Sequence, residues 1–283
     1  MKLGLVLEGG GMRGLYTVGA LDYLAENNIQ VDYVVGVSAG ACNAASFVSG
    51  QKGRGLRVII NYIGDKRYVG ISNYIKTKSM FGMNFIFDEI PHKLDTFDYN
   101  SLLASPCEFK IGVTNAKTGK SEYFSKEYMK NDCTLLRASS SIPIFSPIVK
   151  FEGGEYFDGG TSDPIPVRKA IEDGCDKVII VLTRDRSYVK PPEKFKRIYK
   201  HILKKYPEMI KVLDNRHVVY KDTIEYINQL EKDGRAIVIS PSVPLKISRF
   251  EKDRNKLYEI YKLGKSDAAG VLQVMNQEKK KVL

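Results

Sequence analysis

Apolar positions recur along the chain in blocks whose spacing changes with the element expected. Leu3-Gly4-Leu5-Val6-Leu7 is unbroken by polar residues, as suits a strand covered on both faces. After a run of glycines, Leu15, Val18, Leu21, Leu24 and Ala25 fall at helical spacing, and Asn27-Asn28 end that helix. Val31 to Val35 predicts a second strand, residues 36–40 a turn, and Ala41 to Val48 a helix of small residues. Strand, helix, strand, helix predicts an α/β fold, with a mainly parallel central sheet and helices on both faces. Residues 107–124 predict a hairpin turning at Ala116-Lys117-Thr118-Gly119, and residues 149–157 a second one turning at Glu152-Gly153-Gly154. Lys177 to Thr183 predicts another buried strand.

The pattern changes at Arg184. Pro191-Pro192 predict a stiff connector, followed by helices over 193–205 and 217–232, a short strand over 236–240 and a closing helix from about 253. The expected organisation is a main α/β domain over 1–185 and a basic, mostly helical extension over 186–283. Charge supports the division. Residues 1–185 carry 21 Lys and Arg against 21 Asp and Glu, whereas residues 186–283 carry 23 against 12, so the net +11 resides there. A composition of 43% hydrophobic and 27% charged residues excludes disorder, collagen-like repeats and coiled coil. The four cysteines are far apart and the three histidines share no motif, so neither a disulfide scaffold nor a zinc site is expected. The apolar stretch before Glu8 is too short for a secretory signal. The longest uncharged run, 19 residues from Tyr33 to Gln51, contains Gly, Ser and Asn that suit a turn better than a membrane span. A cytoplasmic location, peripheral at the membrane, is the expectation. Residues 65–100 are rich in aromatics and Met and fit either a mobile apolar cover over a site or ordinary core.

Two glycine clusters carry candidate chemistry. Gly9-Gly10-Gly11-Met12-Arg13-Gly14 follows the first strand and opens the first helix. It satisfies G-x-G-x-x-G, which invites a dinucleotide reading, but the acid that should hold a ribose is missing from the end of the second strand. Asp32 stands at the wrong end of that strand. Gly36-Val37-Ser38-Ala39-Gly40 is G-x-S-x-G between a strand and a helix, where small residues allow a sharp turn that lifts the Ser38 hydroxyl beside a positive helix end. A tight turn with Ser38 as helix cap is the plain structural alternative. If the two strands are neighbours, both loops leave the same sheet edge, and the Gly10 and Gly11 amides can converge on a carbonyl attacked by Ser38, with Arg13 adding positive charge. For the base, His201 and His217 each sit in a basic helix pattern and read as surface or packing residues. Asp158 follows a strand and precedes Gly159-Gly160, so a carboxylate could approach closely there; a turn Asp is again the structural alternative.

With Ala138-Ser139-Ser140-Ser141-Ile142-Pro143 between the serine turn and Asp158-Gly159-Gly160, four blocks stand in the order found in patatin-like phospholipases, which the chain resembles from residue 3 to about 183. The resemblance implies a Ser38–Asp158 catalytic dyad without histidine, an oxyanion hole at Gly10, Gly11 and Arg13, acyl-ester hydrolysis on lipids, and no cofactor or metal. Gly9, Gly14, Gly36, Gly40, Gly159 and Gly160 are the motif glycines. Ser141 departs from the family, which often has Ala there, and adds a polar group near the Pro143 turn.

Lys196, Lys200 and Lys204 fall at i, i+4 and i+8, with Phe195, Ile198, Tyr199 and Ile202 on another face. That pattern fits transient contact with an anionic membrane surface, or a helix packed on the main domain with a solvated basic face. No nucleic-acid motif accompanies the lysines, and no nucleic-acid partner is expected. Three functions stay open on the residues alone: a serine acyl hydrolase, a dinucleotide-binding protein, and a catalytically silent membrane-binding module.

Overall fold

The computed structural model describes the backbone of residues 1–282 and the side chains of residues 1–270. Among the described residues, β1 (Leu3–Leu7), β2 (Tyr33–Val37), β3 (Glu108–Asn115), β4 (Ser121–Ser125), β5 (Val149–Phe151), β6 (Gly154–Asp158), β7 (Lys177–Val181) and β8 (Ala236–Ile239) form one sheet. Its order is β5-β6-β3-β2-β1-β7-β8, with β4 also paired to β3. Strands β3, β2, β1, β7 and β8 are parallel to one another, while β4, β5 and β6 add antiparallel pairings at one side. The helices are α1 (Gly14–Glu26), α2 (Ala39–Val48), α3 (Arg54–Tyr62), α4 (Ile71–Thr77), α5 (Tyr99–Ala104), α6 (Thr134–Ser139), α7 (Val167–Glu172), α8 (Lys196–Ile202), α9 (Pro207–Lys232) and α10 (Arg254–Val282).

Strand side chains alternate between two cores, which is why β1 and β2 contain no charged position. Leu5, Leu7, Val34, Ile111 and Ile179 face α1 and α2 in one apolar cluster. Val6, Tyr33, Val35, Val178 and Ile180 face α7 and α9 in another. Each such side chain contributes about 1.5–3 kcal/mol by its burial. The expected α/β sheet with helices on both faces is therefore the observed architecture.

The boundaries differ in instructive ways. β2 begins two residues later than its apolar run, because Asp32 turns its carboxylate back to accept the Leu3 N–H at 2.7 Å. Both predicted hairpins form; the second turns through Glu152 and Gly153, both at positive φ, the geometry a two-residue hairpin loop requires. α9 starts at Pro207, ten residues before its expected start, since only Met209 and Leu213 of its first turns are buried and the apolar stripe is thin. α8 is shorter than expected and starts after Phe195, whose φ is +64°. Residues 65–100 contain α4, a wide π-type helix at Phe85–Leu94 interrupted by Pro91, and the start of α5. Tyr68, Phe81 and Phe85 pack into a third apolar cluster with Met12 and Leu15, whereas Phe87, Phe97 and Tyr99 join the first.

The region after residue 185 is built into the same sheet. β8 pairs with β7, and α10 lies along α1, where a Cβ on Gly264 would stand 2.0 Å from the Tyr16 carbonyl oxygen. No helix among the described residues is long and apolar enough to cross a membrane.

One local feature positions everything that follows. β3 has three strand partners, and their registers place them on two edges. β4 opposes Lys110 to Thr114 and occupies one edge alone. β2 opposes Glu108 to Gly112, and β6 opposes Val113 to Asn115 in the other direction. β2 and β6 therefore share an edge and run head-on toward each other, with Val37 opposite Gly112 and Asp158 opposite Val113.

Candidate active site

Ser38 caps α2 with φ +54° and ψ −128°, a conformation that an L-residue adopts only under constraint. The constraint is packing. A Cβ on Gly36 would meet the Gly40–Ala41 backbone at 2.8 Å, and one on Gly40 would lie 2.5 Å from the Leu7 carbonyl oxygen. The turn thus folds onto itself and onto β1, and the Ser38 side chain is directed off the sheet edge. Gly9 lies against Ser38, and Gly14 packs α1 on α2, where its carbonyl accepts the Asn43 side-chain amide at 2.8 Å.

Asp158 is held at three points. Its N–H donates to the Ser141 carbonyl at 2.8 Å, its carbonyl accepts the Thr114 hydroxyl at 2.8 Å, and its carboxylate accepts the Gly160 N–H at 2.8 Å. The Ser38 hydroxyl faces its carboxylate across the cavity they both line and favours its ionised form. Gly159 closes the junction, since a Cβ there would stand 2.2 Å from the Gly112 carbonyl oxygen. Burial raises the Asp158 carboxyl above its ordinary value, opposed by the Ser38 hydroxyl, the Arg216 charge and the Gly160 N–H. A buried carboxyl of raised pKa beside a strained hydroxyl can accept a proton from it.

The glycine loop lies alongside. Among the described residues, the Gly10 and Gly11 N–H groups donate to no protein acceptor, and both residues line a cavity with Ser38 and Asp158. Arg13 is 8% exposed and lines the same cavity, and its Nε is buried without a partner. Burial, then the Arg184 and Arg249 charges, push its guanidinium down to about 10, so it remains cationic at neutral pH. Asp32 lies at the opposite end of β2, so the contact a dinucleotide would need is absent from this loop. Neither His201 nor His217 lines the Ser38 cavities.

Two cavities meet at Ser38, and Gly11, Ser38 and Ile142 line both. One, of about 150 Å³, is walled by apolar residues, including Tyr68, Phe81, Met83, Phe87 and Phe97 from the aromatic segment. The other, of about 440 Å³, is rich in cationic side chains and closed by α9 and the 248–250 segment.

Several residues take roles at the site that their sequence patterns did not assign. Ser139, fully buried, accepts the Ser38 N–H at 2.9 Å and donates to the Gly112 carbonyl at 2.7 Å, so it ties the strained turn to β3. It stood in a recognisable block, but without a role. Ser139→Ala orphans both groups; about 1–3 kcal/mol of stability should be lost, read as a lower melting temperature, with kcat falling more than KM rises. Glu8, 4% exposed, accepts the Thr183 N–H and the Tyr220 hydroxyl and ties α9 to the loop. Ser141 turns its hydroxyl back to the Arg137 carbonyl at 2.8 Å, away from Asp158, while its own carbonyl holds the Asp158 N–H.

Comparison with known proteins places these features among relatives. An uncharacterized Escherichia coli protein, YjjU, is 27% identical over 271 residues, covering 93% of this chain and 75% of its own. The lysophospholipase nte1 of Emericella nidulans is 29% identical over 188 residues; the match takes in 63% of this chain but 12% of that much longer protein. VipD from Legionella pneumophila shares the fold, with a TM-score of 0.52 at 14% identity over 96% of this chain and 67% of that one. Residues 206–278 match a domain of unknown function, DUF6363. Residues 5–171 contain both strand ends, the glycine loop and Ser139, and they match the patatin-like phospholipase family, to which this chain belongs.

Proposed function

We propose that the protein is a serine acyl hydrolase that cleaves carboxylic esters of lipids through a Ser38–Asp158 dyad. The observation that carries this reading is the head-on meeting of β2 and β6, which sets a strained hydroxyl against a buried carboxyl at the junction of an apolar and a cationic cavity. Asp158 takes the Ser38 proton as Oγ bonds to the ester carbonyl carbon. The Gly10 and Gly11 amides and the Arg13 charge stabilise the oxyanion. The carbon–oxygen bond to the alcohol then breaks, and the alcohol leaves with the proton held by Asp158. Water, giving one proton to Asp158, adds to the acyl carbon; the bond to Ser38 Oγ then breaks, Oγ takes that proton back from Asp158, and the fatty acid leaves. The acyl chain occupies the apolar cavity and the alcohol the cationic one.

The name lysophospholipase borne by the fungal relatives supports a lipid ester as substrate. The machinery is drawn from residues 1–185, and residues 186–283 serve as one wall of the alcohol side. Contact with an anionic membrane is supported by α8, where Phe195, Ile198 and Ile202 are exposed beside Lys196 and Lys200. A fluorophosphonate should phosphonylate Ser38, as identified by peptide mass mapping. Labelling at another serine, or none in folded protein, defeats the proposal.

A further inference from the structure

The apolar cavity has a wall of definite length and a charged floor. The wall is α2. Ser38, Ala39, Cys42, Asn43, Ala45 and Ser46 fall at i, i+1, i+4, i+5, i+7 and i+8, and all six line the cavity. One face of the helix thus follows the cavity from the nucleophile onward. Its residues are small, so they leave the space beside them open. Ser38 stands at one end of this face and Ser46 at the other, a distance of about 12 Å at the rise of an α-helix.

The far end is closed by an ion pair. Arg54 lines the cavity, and its Nη1 lies 3.5 Å from the Ser46 hydroxyl. Its Nη2 donates to the Asp95 carbonyl at 2.8 Å, and its Nε stands 3.2 Å from the Asp95 carboxylate. The guanidinium also covers the Phe97 ring, 5.1 Å from its centre. Both side chains of the pair are 11% exposed. Arg57, half exposed, holds the same carboxylate at 2.9 and 3.1 Å. An acyl chain can fill the space up to such a pair but cannot replace its polar contacts. Methylenes beyond that point would have to strip a buried guanidinium or turn back.

Two measures of the space agree. The wall of about 12 Å matches an extended chain of about ten carbons. A cavity of about 150 Å³ is of the size that takes up one benzene ring, about six carbons. The cationic cavity, at about 440 Å³, is the larger of the two, so the site gives more room to the alcohol than to the acyl group.

Resting on the acyl-hydrolase reading, we propose that α2 gauges the acyl chain and that Arg54, pinned by Asp95, is its stop, so that acyl groups of about six to ten carbons are preferred to longer ones. Arg54 is a specificity-determining residue: it meets the chain end, not the reacting atoms. Cys42 and Ser46, about one and two turns beyond Ser38, mark an earlier and a later point on the same scale.

The test reads chain length. p-Nitrophenyl esters from butanoate to hexadecanoate, all below micelle-forming concentrations, are compared by kcat/KM. Wild type should peak between about six and ten carbons and fall at least tenfold by hexadecanoate. Arg54→Ala leaves Asp95 paired with Arg57 and should move the peak outward by about two carbons or more, and Arg54→Lys should move it less. Cys42→Leu and Ser46→Leu should move the peak inward, Cys42→Leu by more. These two decide the matter where Arg54→Ala does not fold. A wild-type profile that is level or rising through hexadecanoate overturns the gauge, as does a peak that no folded variant moves. A peak that the leucine variants move and folded Arg54→Ala does not overturns Arg54 as the stop. In a second arm, decanoate and hexadecanoate are titrated calorimetrically into Ser38→Ala protein. Decanoate should bind at least tenfold more tightly, and adding Arg54→Ala should narrow that gap. Equal binding of the two acids by Ser38→Ala protein overturns the gauge and leaves the hydrolase reading untouched. No hydrolysis of any ester by folded wild type, with length-dependent binding intact, defeats the hydrolase reading and leaves the gauge standing.

Discussion

On the proposed mechanism, Ser38→Ala should lower kcat on a long-chain ester by about three to six orders of magnitude, the loss expected when a nucleophile goes and only binding and oxyanion stabilisation remain. KM should change little, because the methyl group fills the same space. Stability gives a second readout that separates chemistry from geometry. The backbone at Ser38 has φ +54°, and Ala inherits that strain whereas Gly does not. Ser38→Gly should therefore be as inactive as Ser38→Ala but more stable than it, by about 1 kcal/mol within the usual range for such sites. Thermal melts of the two variants under one condition check this. Equal or higher activity in either variant removes Ser38 from the reaction. Equal stability removes the strain from the account of why this turn is built of glycines.

The second large effect concerns Asp158 and pH. The folded protein holds the Asp158 proton to higher pH than an ordinary aspartate does, chiefly because burial disfavours the charged form. Only the ionised form can take a proton from Ser38. The acid limb of kcat/KM should thus lie above the ordinary carboxylate range near about pH 4, with activity rising as pH rises through the elevated value. Stability runs the other way. A carboxyl whose folded pKa lies above its unfolded one favours the native state fully at low pH. That contribution is lost as pH climbs from the unfolded value through the folded one. Asp158→Asn keeps an oxygen for the Gly160 N–H and has no charge to bury. Its kcat should drop by about 10²–10⁴. Its melting temperature at pH 7 should be no lower than wild type, with the difference narrowing toward pH 4. A variant that is both inactive and clearly less stable at neutral pH would show Asp158 to be a structural anchor instead.

Much of this site can be read from residue order, because its chemistry sits in short local patterns. Ser38 is announced by Gly36 and Gly40, whose missing side chains let the turn fold onto itself and onto β1, and the glycine loop by its position straight after an apolar strand. Helix and strand type follow wherever one side chain in two, or the three-to-four spacing, is apolar. The parts that cannot be read in this way depend on contacts across long separations. Ser139 is one of three consecutive serines, and only the coordinates show that its hydroxyl bridges the Ser38 N–H and the Gly112 carbonyl. Arg249 sits in a polar stretch without periodicity, yet its backbone reaches the glycine loop. Glu8, beside the glycines, is polar at the end of an apolar strand; its burial depends on Tyr220, 212 residues away. α9 was underestimated for a related reason: a helix lying on a surface shows a thin stripe, and its first turns bury only Met209 and Leu213.

The head-on approach of β2 and β6 has a consequence for how this protein can change over time. Val37 and Asp158 oppose consecutive positions of β3, Gly112 and Val113, so the strand ends that carry Ser38 and Asp158 are set one register step apart. A strand that takes no part in the reaction is thus the ruler for it. The chain that joins the two ends passes through α2 to α6 and the aromatic wall, and its length does not enter that measurement. On the proposed mechanism, insertions there can reshape the acyl side without moving the Ser38–Asp158 pair, whereas a single-residue slip of β3 would abolish activity while leaving every motif intact.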